Sequence, residues 1–216
     1  MNRPPVIPGI VHVVDDDAAF RRAIGRALTT AGHTARLYAS APEYLAAESS
    51  EGPACVLLDL RMPGEDGLDL QTSLACREDA HPVIFLSGHG DIPSTVRAMR
   101  AGALDFLTKP VTTLVLLEAI ARALARDHER QALRTRLAEV RQRYARLTPR
   151  ERQVMAGVVA GRLNKQICYA LHAAERTVKT HRSRVMEKMQ VRSVAELVRL
   201  SEELVASGVT LEPVTD

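Results

Sequence analysis

The stretch ACVLLDLRMPGEDGLDL (residues 54–70) opens on five wholly apolar residues, meets an aspartate, crosses a Pro-Gly loop and resumes at helical spacing. A short apolar run bounded by turn residues reads as a strand buried on both faces. Such strands belong to parallel sheets covered by helices. The same unit recurs on either side. Residues 10–14 (IVHVV), 34–38, 82–86 and 104–107 are further short strand-like runs. Helical patterns occupy 18–31, 41–47 and 67–77, and another opens at Ile92 and Pro93 behind a cap at Asp91 and closes at Gly102. Five strands alternating with five helices predict an α/β domain, and right-handed crossovers leave few topologies for it. The flavodoxin-like order 2-1-3-4-5 is adopted among them by analogy.

From 112 to about 146 neither Pro nor Gly interrupts the chain. The spacing predicts a fifth helix running into a helical linker. Thr148, Pro149 and Glu151 then supply an N-cap, an N1 proline and an N3 acid, the start signal of a new helix. Further helices are expected over 149–160, 164–171, 174–190 and 193–206, with the tail from 207 frayed. The organisation expected is an α/β domain over 8–126, a helical linker over 127–146 and an all-α domain over 147–206.

Charge divides the same way. Residues 1–126 carry 12 Lys/Arg against 15 Asp/Glu, and residues 127–216 carry 17 against 11. The basic second half fits a polyanionic partner. Three cysteines without CxxC spacing argue against a disulfide framework or a zinc site. No run approaches the roughly 18 apolar residues of a membrane span, and the first nine residues lack a signal-like apolar core. The cytoplasm is the expected location, with no membrane partner.

Asp15, Asp16 and Asp17 directly follow the first strand, and Asp59 directly follows the third. In the order 2-1-3-4-5 those strands are neighbours at the switch point, so three or four carboxylates converge there. Such a cluster repels itself unless a cation screens it, and hard oxygen donors suit Mg²⁺. Ser87 and Lys109 end the fourth and fifth strand segments at the same sheet edge. Carboxylates, a hydroxyl and an ammonium around one point are equipment for phosphoryl transfer. Asp59 is assigned as the nucleophile that forms an aspartyl-phosphate. Asp16, Asp59 and the backbone carbonyl of Arg61 are the expected Mg²⁺ ligands, with Asp15 assisting directly or through water. Lys109 pairs with the phosphoryl oxygens, and Ser87 hydrogen-bonds one of them.

The segments VVDDD (13–17), LLDLRMPGEDGLDL (57–70), FLSGHGDI (85–92) and AGALDFLTKP (101–110) closely resemble response-regulator receivers. GHGDIP together with RMPG resembles the FixJ branch. The resemblance covers residues 8–126 and implies phosphorylation of Asp59 by a sensor histidine kinase, with Mg²⁺. It also implies a cis Lys109–Pro110 bond, and a switch in which Ser87 and Phe106 rearrange together. Arg61 and His89 flank the site as tuners of phosphate lifetime. The helix around 96–100 and the strand at 105–106 are the face expected to dimerise.

LTPRERQVMAGVVAGRLNKQI (147–167) and RTVKTHRSRVMEKMQVRSVAELVRL (176–200) resemble the LuxR/FixJ-type helix-turn-helix. Val178, Val185 and Met189 recur at helical spacing as the core stripe of the helix over 174–190, whose other faces carry basic and hydroxyl residues suited to the major groove. By family position, Lys179, Thr180 and Ser183 are expected near bases, and Lys165, Arg176, Thr177 and Arg184 near phosphates of double-stranded promoter DNA. His172-Ala173-Ala174 departs from the family's Gly-Ile-Ser-like turn; histidine tolerates a left-handed backbone only moderately and alanine caps poorly.

The function expected is a two-component response regulator, not a turnover enzyme, in which phosphorylation controls homodimerisation and sequence-specific DNA binding, with RNA polymerase a further partner. Two alternatives stand beside it. One is a DNA-binding regulator independent of phosphorylation. The other is an Asp/Mg²⁺ phosphatase of the haloacid dehalogenase type, whose DxD pair Asp15-Asp16-Asp17 formally contains.

Overall fold

The structure, a computed structural model, describes residues 8–47, 52–64, 66–77, 80–88 and 92–212. The chain divides into two compact units, Met1–Gln131 and Ala132–Asp216.

In the first unit, β1 (Ile10–Val14), β2 (Thr34–Tyr38), β3 (Ala54–Leu58), β4 (Val83–Ser87) and β5 (Asp105–Thr108) form one parallel sheet in the order β2-β1-β3-β4-β5. This is the flavodoxin-like order expected. Strand alternation sorts the side chains onto two faces. Val11, Val13, Cys55, Leu57, Ile84 and Leu86 meet Ile24 and Leu28 of α1 (Ala18–Thr30) and Leu116, Ile120 and Leu124 of α5 (Thr113–Ala145). Val14, Val56, Leu58 and Phe85 meet α2 (Ala41–Leu45), α3 (Gly67–Ala75) and α4 (Ile92–Arg100) through Ala41, Leu68, Leu70, Leu74 and Ala98. β3 is buried along its whole length, as its unbroken apolar run requires.

β4 and β5 each lie one residue later than their apolar runs predict. Pro82 has no N–H for a ladder, and its carbonyl instead accepts the N–H of Val56 (2.9 Å). The predicted cap Asp91 and the residue His89 lie outside the described residues.

The helix expected over 112–146 is a single element, and its residues serve both cores. Asp127 is 1 % exposed in the first unit, where its Oδ2 accepts the N–H of Ala54 (2.9 Å) and the Nε2–H of Gln131 (2.8 Å). Val140 and Tyr144 are buried in the second unit.

The second unit adds α6 (Pro149–Val159), α7 (Asn164–Ala170), α8 (Glu175–Met189) and α9 (Val194–Ala206). Val154, Met155, Ile167, Val178, Val185, Met189, Leu197 and Leu204 fill its core. The start signal at Thr148 is a complete capping box: Thr148 Oγ1 accepts the N–H of Glu151 (3.3 Å), and Glu151 Oε2 accepts that of Thr148 (2.8 Å). The tail is not frayed at Ser207 as expected. The Val209 N–H bonds to the Leu204 carbonyl (3.0 Å), and Val209 and Leu211 pack against the core, because apolar contact outweighs the fraying tendency of an end.

Candidate functional site

The C-terminal ends of β1 and β3 are held side by side by their register, with Val14 opposite Leu58. The Asp59 N–H donates to the Val14 carbonyl (2.8 Å), which fixes Asp59 one residue beyond the ladder. One carboxylate oxygen from each of Asp15, Asp16 and Asp59 lies within 4.8 Å of the others. Asp17 does not join them. Its carboxylate accepts the N–H groups of Ala19 (2.8 Å) and Phe20 (3.1 Å) and caps α1. Those backbone N–H groups hold the Asp17 carboxyl below its ordinary range.

Lys109 enters from the end of β5. The Lys109–Pro110 bond is cis, as the resemblance implies. The Lys109 ammonium lies 2.6 Å from Asp15 Oδ2 and 3.6 Å from Asp59 Oδ2. The other oxygen of Asp59 accepts the Leu60 N–H (2.9 Å), so Oδ2 is the one that faces the ammonium. Burial pushes the Asp59 carboxyl above its ordinary value; Lys109 opposes this, and Asp15 and Asp16 reinforce it. Ser87 is 1 % exposed at the end of β4, and its carbonyl accepts the Lys109 N–H (2.8 Å). Phe106 is half-buried on β5, its ring 5.8 Å from that of Phe85. Arg61 is exposed in the loop after β3.

Four contributors here were missed in the sequence. The Arg21 guanidinium donates to the Asp15 carbonyl. The Phe20 ring centroid lies 4.0 Å from the Lys109 ammonium. Gly67 packs against the backbone of Asp59. In the second unit, Arg182 Nη1 donates to Asn164 Oδ1 (3.0 Å) and ties α8 to α7. Phe20 and Arg182 depend on partners distant in the chain, while Arg21 and Gly67 meet nearby backbone that only the folded loop brings within reach.

On α8, Val178, Val185 and Met189 face the core. Arg176, Lys179, Thr180, Ser183 and Arg184 are exposed and, with Glu175, line one shallow depression. Lys179 pairs with Glu175 one turn earlier (3.0 Å). Thr177 is exposed on α8 outside that depression, and Lys165 is exposed on α7. The turn before α8 does place His172 at φ 46°, and Ala174 caps without a side-chain bond. Backbone bonds from Ala173 to Cys168 (3.0 Å) and from His172 to Tyr169 (3.2 Å) close it instead.

Residues 11–121 match the family model of the response regulator receiver domain, and residues 145–201 that of the bacterial regulatory proteins of the luxR family. Over 195 residues the chain is 44% identical to Nodulation protein W of Bradyrhizobium diazoefficiens, covering 90% of this chain and 86% of that protein. It is 38% identical over 193 residues to the transcriptional regulatory protein FixJ of the same organism, covering 89% of this chain and 94% of that one. Among solved structures, the response regulator StyR aligns with a TM-score of 0.84 at 42% identity, over 91% of this chain and 100% of that one. The chain belongs to the response-regulator family.

As a response regulator it carries a receiver and a LuxR-type DNA-binding domain, which imply a histidine kinase and DNA as partners. Receivers as a family use Mg²⁺. The donor set of this regulator fits that ion: three carboxylates close together, all hard oxygen ligands, in a pocket where like charges already oppose the ionisation of Asp59. Among the described residues, no helix of the regulator is long and apolar enough to cross a membrane.

Proposed function

We propose that this regulator is switched by phosphorylation of Asp59 and that the switch controls promoter binding. The observation that carries the reading is the Lys109 ammonium, shared between Asp15 (2.6 Å) and Asp59 (3.6 Å). Asp59 Oδ2 attacks the phosphorus of the kinase phosphohistidine; the P–N bond breaks as the P–O bond forms. Lys109 then transfers its pairing from the carboxylates to the phosphoryl oxygens, and the Ser87 hydroxyl donates to one of them. Mg²⁺, held by Asp15, Asp16, Asp59 and the carbonyl of Arg61, would neutralise charge on the carboxylates and the phosphoryl group when bound. The Asp17 cap supports a switch over a dehalogenase-type phosphatase, because the second acid of the DxD pair is spent on α1.

Ser87 and Phe106 relay the change to α4 and β5. Val96 (42 %) and Met99 (45 %) leave an exposed apolar strip on α4 for a second receiver. A single helix-turn-helix contacts one half-site, so pairing two chains raises effective concentration on a two-half-site operator. Lys179, Thr180 and Ser183 contact bases, and Lys165, Arg176, Thr177 and Arg184 contact phosphates. In this reading the receiver is 8–126 and the DNA-binding domain 147–206, with 127–146 joining them, the setting is the cytoplasm, and RNA polymerase is a further partner.

The test compares the wild type with Asp59→Asn. Wild type treated with acetyl phosphate and Mg²⁺ incorporates acid-stable, base-labile phosphate, gains mass in sedimentation and binds its operator more tightly. Asp59→Asn does none of these. Wild-type labelling of the mutant would move the phosphoacceptor elsewhere.

A further inference from the structure

Asp59, Asp15 and Lys109 meet at one point, but one side of the Lys109 ammonium is closed by neither carboxylate nor backbone. It is closed by Phe20. The ring centroid lies 4.0 Å from Nζ, and the lysine side chain is only 20 % exposed. Phe20 is the third residue of α1, and its own N–H is taken by the Asp17 cap. One helical position later, Arg21 donates to the carbonyl of Asp15. The ring itself is half-buried and packs against the apolar cluster between the sheet and α1 and α5. The first turn of α1 is therefore fixed at both ends of the pocket wall, and the ring cannot swing away without leaving the core.

An ammonium has three N–H donors and seeks an acceptor for each. Here Asp15 Oδ2 accepts one at 2.6 Å, and Asp59 Oδ2 stands 3.6 Å away, beyond hydrogen-bond reach. An aromatic face attracts the remaining positive charge through its quadrupole, yet offers no lone pair that must be given up later. A water or a third carboxylate in that place would compete with an incoming phosphoryl oxygen. We propose that Phe20 is a positioning residue for phosphoryl capture: its ring backs the Lys109 ammonium, keeps water from that side and aims Nζ at the oxygens that arrive on Asp59. This rests on Asp59 being the phosphoacceptor.

The test uses the full chain with acetyl phosphate and Mg²⁺. Phe20→Met keeps an apolar side chain of similar volume and removes the π face; Phe20→Tyr keeps the face. Phe20→Met should slow phosphate uptake by about three- to thirtyfold, the span from an exposed to a desolvated cation–π contact. Phe20→Tyr should stay within about twofold of wild type on the same basis. The ε-protons of Lys109 should carry a ring-current shift in wild type and keep it in the Tyr variant; its absence from wild type would overturn the placement of the ring over the ammonium. In a Lys109→Ala background, Phe20→Met should have no further effect on the rate. Equal rates for wild type and Phe20→Met, or additive losses in the double variant, overturn the positioning role alone. Wild type that labels no better than Asp59→Asn overturns the phosphoacceptor reading, and the role of Phe20 falls with it.

Discussion

A Cβ placed on Gly67 would lie 2.3 Å from the carbonyl oxygen of Asp59 and 3.1 Å from the ring of Phe85. The first residue of α3 is thus pressed against the backbone that carries the phosphoacceptor, and its N–H donates to the Leu60 carbonyl (2.9 Å). Backbone cannot yield as the tip of a side chain can, so Gly67→Ala must displace Asp59, α3 or both. We expect a loss of about 1–3 kcal/mol in urea unfolding, the usual cost of overpacking. Phosphate uptake should fall by more than that stability loss explains. A variant that unfolds at the wild-type midpoint and labels at the wild-type rate would show that the contact relaxes freely.

His12 should make the receiver acid-sensitive. Its ring is 2 % exposed, lies 3.1 Å from the Tyr38 hydroxyl and stacks on His81 at 5.9 Å. Burial, then the charges of His81 and Arg36, lower its pKa from 6.5 to about 4. The unfolded chain therefore binds this proton first. The stability His12 contributes is complete above pH 6.5 and is lost as the pH falls toward 4. Integrated to pH 5, the loss is about 2 kcal/mol. Urea unfolding at pH 7.5 and 5.0 should show this fall in wild type and a smaller one in His12→Gln; identical falls would assign the sensitivity elsewhere.

In the second unit, Glu151 is buried while carrying both a cap and an ion pair. The Lys188 ammonium lies 2.6 Å from its Oε2 and also donates to the Arg146 carbonyl (3.2 Å). Burial raises the Glu151 carboxyl, but Lys188 and Thr148 together bring it below its ordinary value. Lys188→Met strands that carboxylate and should cost about 2 kcal/mol in thermal or urea unfolding. Adding Glu151→Gln to Lys188→Met should return part of the loss, because the amide still caps α6 without a buried charge. No recovery in the double variant would mean that the lysine acts by its packing.

Lys179 should carry sequence preference more than bulk affinity. It is exposed beside Thr180 and Ser183, and its pairing with Glu175 is a surface contact worth little. Lys179→Ala should weaken operator binding by about 1–3 kcal/mol and random-sequence binding by much less. Titrations of both DNAs at matched salt will separate the terms, since equal losses would make Lys179 a phosphate contact.

The strands, the acids at the ends of β1 and β3 and the capping box of α6 were legible in the sequence because each is written locally: an apolar run, an acid at its end, a Thr-Pro-x-Glu start. The sheet order rests on analogy, since strand pairing is a non-local property that no single run records. Element edges shifted where a neighbour decided them, as at Pro82. By sequence Asp17 stands outside the expected ligand set, and the first turn of α1 shows what it does instead, which is to cap that helix. Phe20 reads as one more apolar residue on a helix face, and the partner that gives it a further role stands 89 positions later. Likewise, a buried Asp127 inside a helix rich in arginine carries no sign that it ties down the start of β3.

The 33-residue helix α5 has a consequence for how such chains can be recombined. Recognisable helix-turn-helix sequence begins near Leu147, the natural place to splice one regulator's output onto another's input. A breakpoint there separates Val140 and Tyr144 from the apolar cluster they help to fill, so the transplanted module must pack part of its interior with another regulator's side chains. A crossover just after Gln131 avoids this, since the side chains upstream serve the first core and those downstream the second. Chimaeras joined at that seam should keep both cores whole, and exchange between related regulators should have been tolerated more often within the helix than at its end.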